Sequence, residues 1–349
     1  MKQGDFINHI PEWGDLLVRT DYEAIVCKFC NSGEIVKNGT RKGTQYWLCK
    51  NCGRGFVANK SLPKMKYPVE AIGSALYMYF TGSSLNDIRR HVEQQYKALP
   101  SDSAIYGWVT RFSKLASDEA KKHKPENIGD VWIADELFLS LAGKRYYLWD
   151  IIDAKTRYLV ATYLSPKRGT QQAKKLMELA SERAGKVPRV VITDSLNSYL
   201  DGIELAYGSE TKHIQSQPFA KADSTNLIER WHATLRERTK VMWGMKKPET
   251  TRHILDGFLV FYNYFRPHES LNERTPASVA GIQFPYKNWL DVVNSQSPLG
   301  QFKEKVSLPL DEEVAIIYPP QPYRKRTKPK KRLRRTHTKI QTTLGGMRL

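Results

Sequence analysis

Four cysteines form the first group of residues whose types and spacing could do chemistry. Cys27 and Cys30 make one CxxC pair, Cys49 and Cys52 make a second, and eighteen residues separate the two pairs. This is the spacing of a tetrahedral four-thiolate Zn²⁺ site, with a redox-active dithiol as the alternative. All cysteines of the chain lie in this segment, so a secreted disulfide framework is not expected. We therefore predict a structural zinc ribbon over residues 22–58.

Three acidic residues form the second candidate site. Asp135 interrupts the apolar run WIADELFL, Asp194 ends the apolar run VVITD, and Glu229 lies in the amphipathic segment STNLIERWHATLRERTK. A carboxylate inside or at the end of an apolar strand is unfavourable unless a cation compensates its charge, and ligands gather at strand ends. Carboxylates from two strands and a helix can converge on a pair of Mg²⁺ or Mn²⁺ ions, which prefer oxygen ligands and suit phosphodiester chemistry. We predict these three acids as catalytic metal ligands.

Other residues near these positions are alternatives. Glu136 directly follows Asp135 and is expected to point to the opposite face of a regular strand. Asp150 and Asp153 lie in a neighbouring strand or at its end; Asp153 is the best substitute, although we expect it to be structural. His232 could assist at the same cleft, but a single histidine on a helix is more often structural. The remaining alternative is that all three chosen acids are ordinary surface or capping residues.

The hydrophobic pattern predicts an α/β domain around the acids. From Val131 the runs VWIADELFLSL, KRYYLWDIID and TRYLVATYL alternate or are rich in β-branched residues, which predicts a three-strand antiparallel meander. A helix over residues 169–184 leads into the strand RVVIT, and strand, helix and strand in this order predict a parallel addition to the sheet. Two further helices are predicted at about residues 224–243 and 249–265.

Residues 67–123 are predicted to form three helices ahead of this domain. Apolar residues recur there at helical spacing, Ser84 can cap the second helix, and Ser101 or Asp102 can cap the third. We predict a helix-turn-helix module whose third helix enters the major groove of DNA. A three-helix bundle that only packs against its neighbours is the alternative.

The charge of the chain favours a polyanionic partner. Its 55 Lys and Arg residues outnumber its 36 Asp and Glu residues, which gives a formal net charge of +19. A positive field of this size attracts nucleic acid or an anionic membrane. The sequence contains no apolar stretch of the roughly 18–20 residues that a membrane span needs and no leader-like N-terminus. We expect a soluble, intracellular protein that binds double-stranded DNA.

The candidate DNA contacts are basic, polar and aromatic residues in the predicted ribbon, the third helix of the helical module and the helix of Glu229. They are Arg41, Lys42, Tyr46 and Arg54 in the ribbon, Ser103, Tyr106 and Arg111 in the helical module, and Asn226, Arg230, Arg236 and Lys240 near Glu229.

The C-terminal segment, residues 284–349, is predicted to be an irregular extension. Its stretch 323–338, YRKRTKPKKRLRRTHT, contains nine Lys or Arg and no acid, so it cannot bury apolar area. We interpret this stretch as a non-specific DNA tether whose affinity falls with salt. A flexible tail that binds any polyanion is the alternative.

Several runs of the sequence resemble one family. WIADELFLSLAGKRYYLWDIIDAKTRYLVATYLS, VVITDSLNSY, NLIERWHATLRERTK with Glu229 thirty-five positions after Asp194, and YNYFRPHESLNERTPAS are similar in order and spacing to the catalytic domain of bacterial and archaeal insertion-sequence transposases. The similarity covers about residues 130–280. It implies an RNase H-like fold over residues 128–283 and a DDE triad of Asp135, Asp194 and Glu229.

The same resemblance implies a function and its partners. It predicts a DDE transposase that cuts and rejoins DNA at the ends of a mobile element, acts as a homodimer or larger assembly, and is nucleoid-associated in the cytoplasm of a prokaryotic host. The zinc ribbon and helical module are similar to the region that recognises DNA ends in some relatives. The alternatives are a sequence-specific DNA-binding regulator without catalysis, and a nuclease of the same fold that cuts but does not join.

Overall fold

The computed structural model describes residues 25–59, 61–216, 224–240 and 247–296. Its first element is a small antiparallel sheet of three strands, β1 (Ile35–Arg41), β2 (Thr44–Cys49) and β3 (Gly55–Val57), in the order β1-β2-β3. Lys42 and Gly43 connect β1 to β2, and both have positive φ angles, of 48° and 78°. A two-residue turn of this kind matches the natural twist of a hairpin. The two CxxC pairs flank this hairpin, which brings them together.

Three helices follow: α1 (Val69–Phe80), α2 (Leu85–Tyr96) and α3 (Asp102–Ala120). The Ser84 hydroxyl accepts a hydrogen bond from the amide of Asp87, and the Ser101 hydroxyl accepts one from the amide of Ala104. Each serine thereby satisfies one of the amides that a helix start leaves without a partner. Both predicted caps are confirmed.

A five-stranded mixed sheet forms the next part of the chain. Its strands are β4 (Val131–Leu141), β5 (Lys144–Asp153), β6 (Leu159–Ser165), β7 (Val190–Thr193) and β8 (Lys212–Gln215), in the order β6-β5-β4-β7-β8. β4, β5 and β6 pair antiparallel, whereas β7 pairs parallel to β4 and β8 parallel to β7. The meander and the parallel addition are as predicted. β8 was not predicted because KHIQ is short, polar and only partly buried.

Helices cover both faces of this sheet. α4 (Thr170–Ala184) and α5 (Asn197–Tyr207) lie on one face, where the ring of Trp149 in β5 contacts Tyr199 in α5 at 5.4 Å. α6 (Asn226–Thr239) lies on the other face, where the next residue of β5, Asp150, accepts a hydrogen bond from the Trp231 indole. Successive residues of a strand point to opposite faces, which is why adjacent residues meet different helices.

The last described helices connect the sheet to the helical module. They are α7 (Pro248–Val260), which continues into a π-helical turn at Phe261–Phe265, α8 (Pro276–Val279) and α9 (Trp289–Asn294). α7 packs so tightly on α3 and on the end of α1 that a Cβ at Gly257 would collide with the Ser113 hydroxyl and lie 2.5 Å from the Phe80 ring. The Phe80 ring also stacks on Trp289 with centroids 4.7 Å apart. One hydrophobic core therefore runs from the helical module through the sheet to α9.

Two expectations about the C-terminal part of the chain have different outcomes. The prediction of irregular structure beyond residue 284 is wrong for α9, because Trp289, Val292 and Val293 recur at helical spacing and are buried in the common core. The basic stretch 323–338 lies outside the described residues. No helix in the described part of the chain has the length and apolar character needed to cross a membrane.

Candidate active site

Asp135 and Asp194 lie at the same level of two adjacent parallel strands. β4 and β7 pair from Val131 with Val190 as far as Ile133 with Ile192, and each acid comes two residues after that last pair. The carboxylates converge where the strands cease to pair, and Glu136 joins them. One oxygen from each of these three acids lies within 4.8 Å of the others. We call Asp135, Glu136 and Asp194 the acid cluster.

Glu136 lies on the face of the sheet opposite to Asp135, as the sequence predicts: it is paired with Trp149, which contacts α5, whereas Asp135 is paired with Asp150, which contacts α6. Its carboxylate accepts a hydrogen bond from Arg168 Nε at 2.7 Å, and its other oxygen is buried without a hydrogen-bond partner among the described residues. Burial raises the pKa of Glu136; Arg168 opposes this effect, while Asp194 and Asp135 add to it. The longer side chain of Glu136 still brings one carboxylate oxygen within 4.8 Å of oxygens of Asp135 and Asp194, beyond the last paired residues of β4 and β7.

The acid cluster fits a divalent cation. Mg²⁺ binds oxygen atoms at about 2.1 Å in octahedral geometry, which places pairs of ligand oxygens roughly 3–4 Å apart. Three carboxylate oxygens within 4.8 Å of one another need little movement to reach that arrangement. The buried Tyr199 hydroxyl interacts with Glu136, but the second oxygen of Glu136 makes no close hydrogen bond among the described residues, so a cation could satisfy it.

Glu229, the third predicted ligand, lies in the first turn of α6. Its side chain is exposed, and one carboxylate oxygen accepts a hydrogen bond from the Thr225 hydroxyl at 2.6 Å. It is not among the acids whose oxygens cluster within 4.8 Å. The structure thus brings two of the three predicted acids together, and the role of Glu229 stays a prediction.

His232 is a functional candidate that the sequence alone left open. Asp135 and Asp150 are directly paired across β4 and β5, an arrangement that places like charges opposite each other. The His232 ring lies between the carboxylates, with Nδ1 3.2 Å from Asp135 and Nε2 3.0 Å from Asp150. Burial lowers the pKa of His232, but its hydrogen bonds to Asp135 and Asp150 outweigh burial and raise the pKa to about 9. Protonated His232 is therefore the cation that compensates the two acids.

Asp150 and Asp153 occupy structural positions. Asp150 is fully buried and accepts hydrogen bonds from the Trp231 indole at 2.8 Å and from His232. Asp153 is also fully buried, and one of its oxygens accepts hydrogen bonds from the amide and hydroxyl of Thr156 in the turn before β6. The expectation that Asp153 is structural agrees with this geometry.

Comparison with known proteins identifies the domain that carries these acids. Residues 129–268 match a family model described as a DDE domain. The match assigns a DDE domain to these residues, which include Asp135, Asp194 and Glu229. A putative integrase, ORF3 of Spiroplasma virus SpV1-C74, is 26% identical over 150 residues, which cover 38% of this chain and 41% of that protein. The chain thus spans about two fifths of the length of this curated relative.

Solved structures with a related arrangement come from viral integrases. The HTLV-2 integrase catalytic core domain, in complex with magnesium, matches with a TM-score of 0.36 and 14% identity over 45% of this chain and 99% of that chain. The integrase in the simian T-cell lymphotropic virus intasome, in complex with the PP2A regulatory subunit B56 gamma, matches with a TM-score of 0.36 and 10% identity over 62% of this chain and 77% of that chain.

Most predicted DNA contacts of the DDE domain and helical module lie on exposed surface. On α6, the exposed positions are Asn226, Arg230, Arg236 and Lys240, and on α3 they are Ser103, Tyr106 and Arg111. In the ribbon, Arg41 and Lys42 are exposed, the Arg41 guanidinium lies over the Tyr46 ring at 4.8 Å, and exposed Arg54 lies over Phe29 at 5.1 Å. These positions are accessible, and their contact with DNA stays a prediction.

The four cysteines ahead of the DDE domain form a compact cluster. Their sulfur atoms all lie within 4.8 Å of one another, and the pairs Cys27 with Cys52 and Cys30 with Cys49 are 3.6 Å apart. Tetrahedral Zn²⁺ with Zn–S bonds of about 2.3 Å separates its sulfurs by about 3.8 Å, which matches. Each CxxC segment closes with an equivalent backbone bond, from the amide of Asn31 to Cys27 and from that of Gly53 to Cys49. The three-stranded sheet and this cluster form a zinc ribbon.

Proposed function

We propose that this protein is a transposase that binds the ends of a mobile DNA element and catalyses metal-dependent strand cleavage and strand transfer. The observation that carries the proposal is the convergence of Asp135 and Asp194 from adjacent parallel strands of a DDE domain. Two such carboxylates in register, with a third acid beside them, are the arrangement that holds metal ions for phosphodiester chemistry.

The proposed metal ligands are Asp135, Asp194 and a third acid, either Glu136 or Glu229. Bound Mg²⁺ or Mn²⁺ would activate the attacking oxygen and stabilise the leaving oxygen. The protein positions the acids: Arg168 holds Glu136, and His232 holds Asp135. We assign the exposed Arg236 and Lys240 of α6 to phosphates next to the bond that is cut.

The proposed reaction has two displacements at phosphorus. In the first, a water oxygen attacks the phosphorus at the element end, the bond to the 3′ oxygen breaks, and a 3′-hydroxyl and a 5′-phosphate result. In the second, that 3′-hydroxyl attacks a phosphorus of target DNA and displaces a 3′-hydroxyl there. Both steps are in-line displacements, so one site can serve both and no covalent protein nucleophile is needed.

We propose supporting roles for the regions ahead of the catalytic domain (128–283). Cys27, Cys30, Cys49 and Cys52 bind a structural Zn²⁺, and the ribbon (22–58) and helical module (67–123) recognise the element ends. Two ends must be held together during transposition, so the active form is a homodimer or a larger assembly. The basic stretch 323–338 tethers DNA without sequence preference.

The test is strand transfer of labelled terminal-repeat DNA into a plasmid with Mg²⁺, comparing the native protein with Asp194→Asn. We expect joined product from the native protein and a loss of at least about a thousandfold in the variant, because a ligand of the catalytic metal is removed. Cutting without joining would support the nuclease alternative. Specific binding without cutting, or equal activity in both proteins, would support the regulator.

A second comparison in the same assay identifies the third ligand. Glu136→Gln and Glu229→Gln remove the same charge from the acid cluster and from the first turn of α6. The variant that abolishes joining while still binding DNA marks the ligand. Glu182→Gln, at an exposed position on α4 away from these acids, removes the same charge as the matched control and should join at the native rate.

A further inference from the structure

A cleft separate from the acid cluster lies beside α6, where this helix passes the helical module. It has a volume of about 490 Å³ and is lined by the α1–α2 turn at Thr81 and Gly82, by Thr234 and Arg238 of α6, and by Arg266. Gly82 has a φ of +98°, and a Cβ there would lie 3.4 Å from Arg238 Cα. The positive φ therefore favours glycine at this turn, which lies in contact with α6.

This cleft and the acid cluster lie on different sides of α6. Each residue of an α-helix turns by about 100°, so Glu229, His232 and Arg236 share one side of α6. Another side of α6 carries Leu227, Arg230, Thr234 and Arg238. Thr234 and Arg238 line this cleft, and Leu227 and Arg230 line a neighbouring depression. A molecule bound in the cleft would not compete with the acids for the same surface.

Arg238 is held in the cleft without a charge partner. Its Nη1 donates to the Phe80 carbonyl at 3.0 Å, and its guanidinium lies over the Phe261 ring at 5.5 Å. Its Nε is buried and has no hydrogen-bond acceptor in the described part of the chain. Burial lowers the pKa of Arg238, and the nearby Arg266 lowers it further. The guanidinium groups of Arg238 and Arg266 therefore both lie at this cleft.

No ion pair among the described residues compensates Arg238 or Arg266. Glu237 also lines the cleft, but it comes within 4.0 Å of neither guanidinium. By contrast, Arg168 and Arg189 each pair with a carboxylate. Placing two like charges side by side with partial loss of water is unfavourable unless an anion binds between them. Guanidinium groups recognise phosphate with paired hydrogen bonds.

A neighbouring depression extends the positive surface along the same side of α6. It has a volume of about 810 Å³ and is lined by Lys155, Arg157 and Arg230 among others. The charges of Arg157 in this depression and of Arg266 in the cleft both lower the pKa of His268, so both lie within electrostatic range of that side chain. From Arg230 to Arg238 the helix rises about 12 Å, which is about three to four base-pair steps of DNA. The two ends of this stretch could therefore contact phosphates of one strand that lie three to four steps apart.

We propose that Arg238 and Arg266 bind a phosphate of the DNA backbone, in a track that follows the side of α6 away from the acid cluster. This inference rests on the proposed function only in its choice of DNA as the partner. It assigns these residues to positioning of the duplex, and it gives no role in the chemistry to either arginine.

The experiment measures how the affinity for a duplex of about 30 base pairs depends on salt. Each lost phosphate contact lowers the slope of log K against log salt concentration by about one. We expect this decrease for Arg266→Gln and a smaller one for Arg266→Lys, which keeps the charge but not the planar fork. Lys175→Gln, on α4 over the opposite face of the sheet, removes the same charge and should leave the slope unchanged. A melting curve for each variant verifies its fold.

Each outcome separates this inference from the proposed function. An unchanged slope for Arg266→Gln, in a protein that still joins strands, overturns the inference alone. A lower slope in a protein that binds DNA but never joins strands overturns the transposase and keeps the inference. If inorganic phosphate at millimolar concentration raises the melting temperature of the native protein but not of Arg266→Gln, and the duplex slope is unchanged, the cleft binds free phosphate and the DNA track is wrong.

Discussion

The cysteine cluster and the acid cluster are both sets of close metal-ligand atoms, but the protein supports them differently. In the ribbon, the buried core consists of Cys27, Cys49 and Phe56, so two of its three residues are themselves ligands. The acid cluster lies on a sheet inside a core that runs from the helical module to α9. A metal should therefore be needed to fold the first site and should be dispensable for the fold of the second.

The surroundings of the two clusters show the same difference. Arg168 pairs with Glu136 and His232 with Asp135, so cations of the protein already hold two acids in place. The four thiols of the ribbon are arranged differently, because the distances between their sulfur atoms match the edges of a metal tetrahedron. Preorganised acids suit a site where metal and DNA come and go during reaction.

The largest effect should come from removing zinc. Structural zinc sites contribute on the order of 10 kcal/mol of apparent binding free energy, which the small core of the ribbon cannot replace. A strong chelator should abolish amide hydrogen-exchange protection in residues 25–59 while the DDE domain stays protected. Cys49→Ser should have the same effect without chelator, whereas Lys37→Ser, an exposed change in the same hairpin, should not. Ribbon amides that remain protected without metal would show that the ribbon folds by itself.

A smaller loss of stability should follow from His232→Leu. This change leaves Asp135 and Asp150 opposite each other across β4 and β5 with no cation between them. Removing one partner of a buried charge pair typically destabilises a protein by about 3 kcal/mol or more. Urea unfolding followed by tryptophan fluorescence measures the change, and His253→Leu on α7 provides a matched control. Adding Asp150→Asn to His232→Leu should recover part of the loss; equal or greater loss in the double variant would show that charge is not the cause.

The same two clusters show how far the sequence predicts the molecule. The CxxC spacing and the Lys42-Gly43 turn are local, so the ribbon was predictable from adjacent residues. Asp135 and Asp194 were also predictable, because each interrupts or ends an apolar run. The approach of the Glu136 carboxylate to Asp135 and Asp194 was not predictable, because it depends on where β4 and β7 cease to pair. The His232 bridge was not predictable either, because it depends on how α6 lies across the sheet.

The signal for the His232 bridge was present but ambiguous. Asp150 is an acid inside the apolar run YYLWDIID, and an acid there needs a buried donor. The sequence contains eight histidines and does not reveal which residues of β4 and β5 are paired. The histidine that bonds Asp150 could therefore not be chosen from the pattern alone. α9 was missed for a related reason: six residues give fewer than two helical turns, and tertiary packing such as that of Trp289 on Phe80 and Phe265 stabilises them.

The smallest expected effect is a gain in stability rather than a loss. Asp194→Asn removes one of the like charges of the acid cluster, so in metal-free buffer it should stabilise the protein by about 1 kcal/mol, as substitutions at strained functional sites often do. Thermal melting measures the shift, and Asp201→Asn, an exposed acid on α5, should change it little. Adding Mg²⁺ should raise the melting temperature of the native protein and not that of the variant. A lower melting temperature for Asp194→Asn without metal would mean that hydrogen bonds such as the one from the Leu196 amide outweigh charge repulsion, and the contrast with the cysteine cluster would then fail.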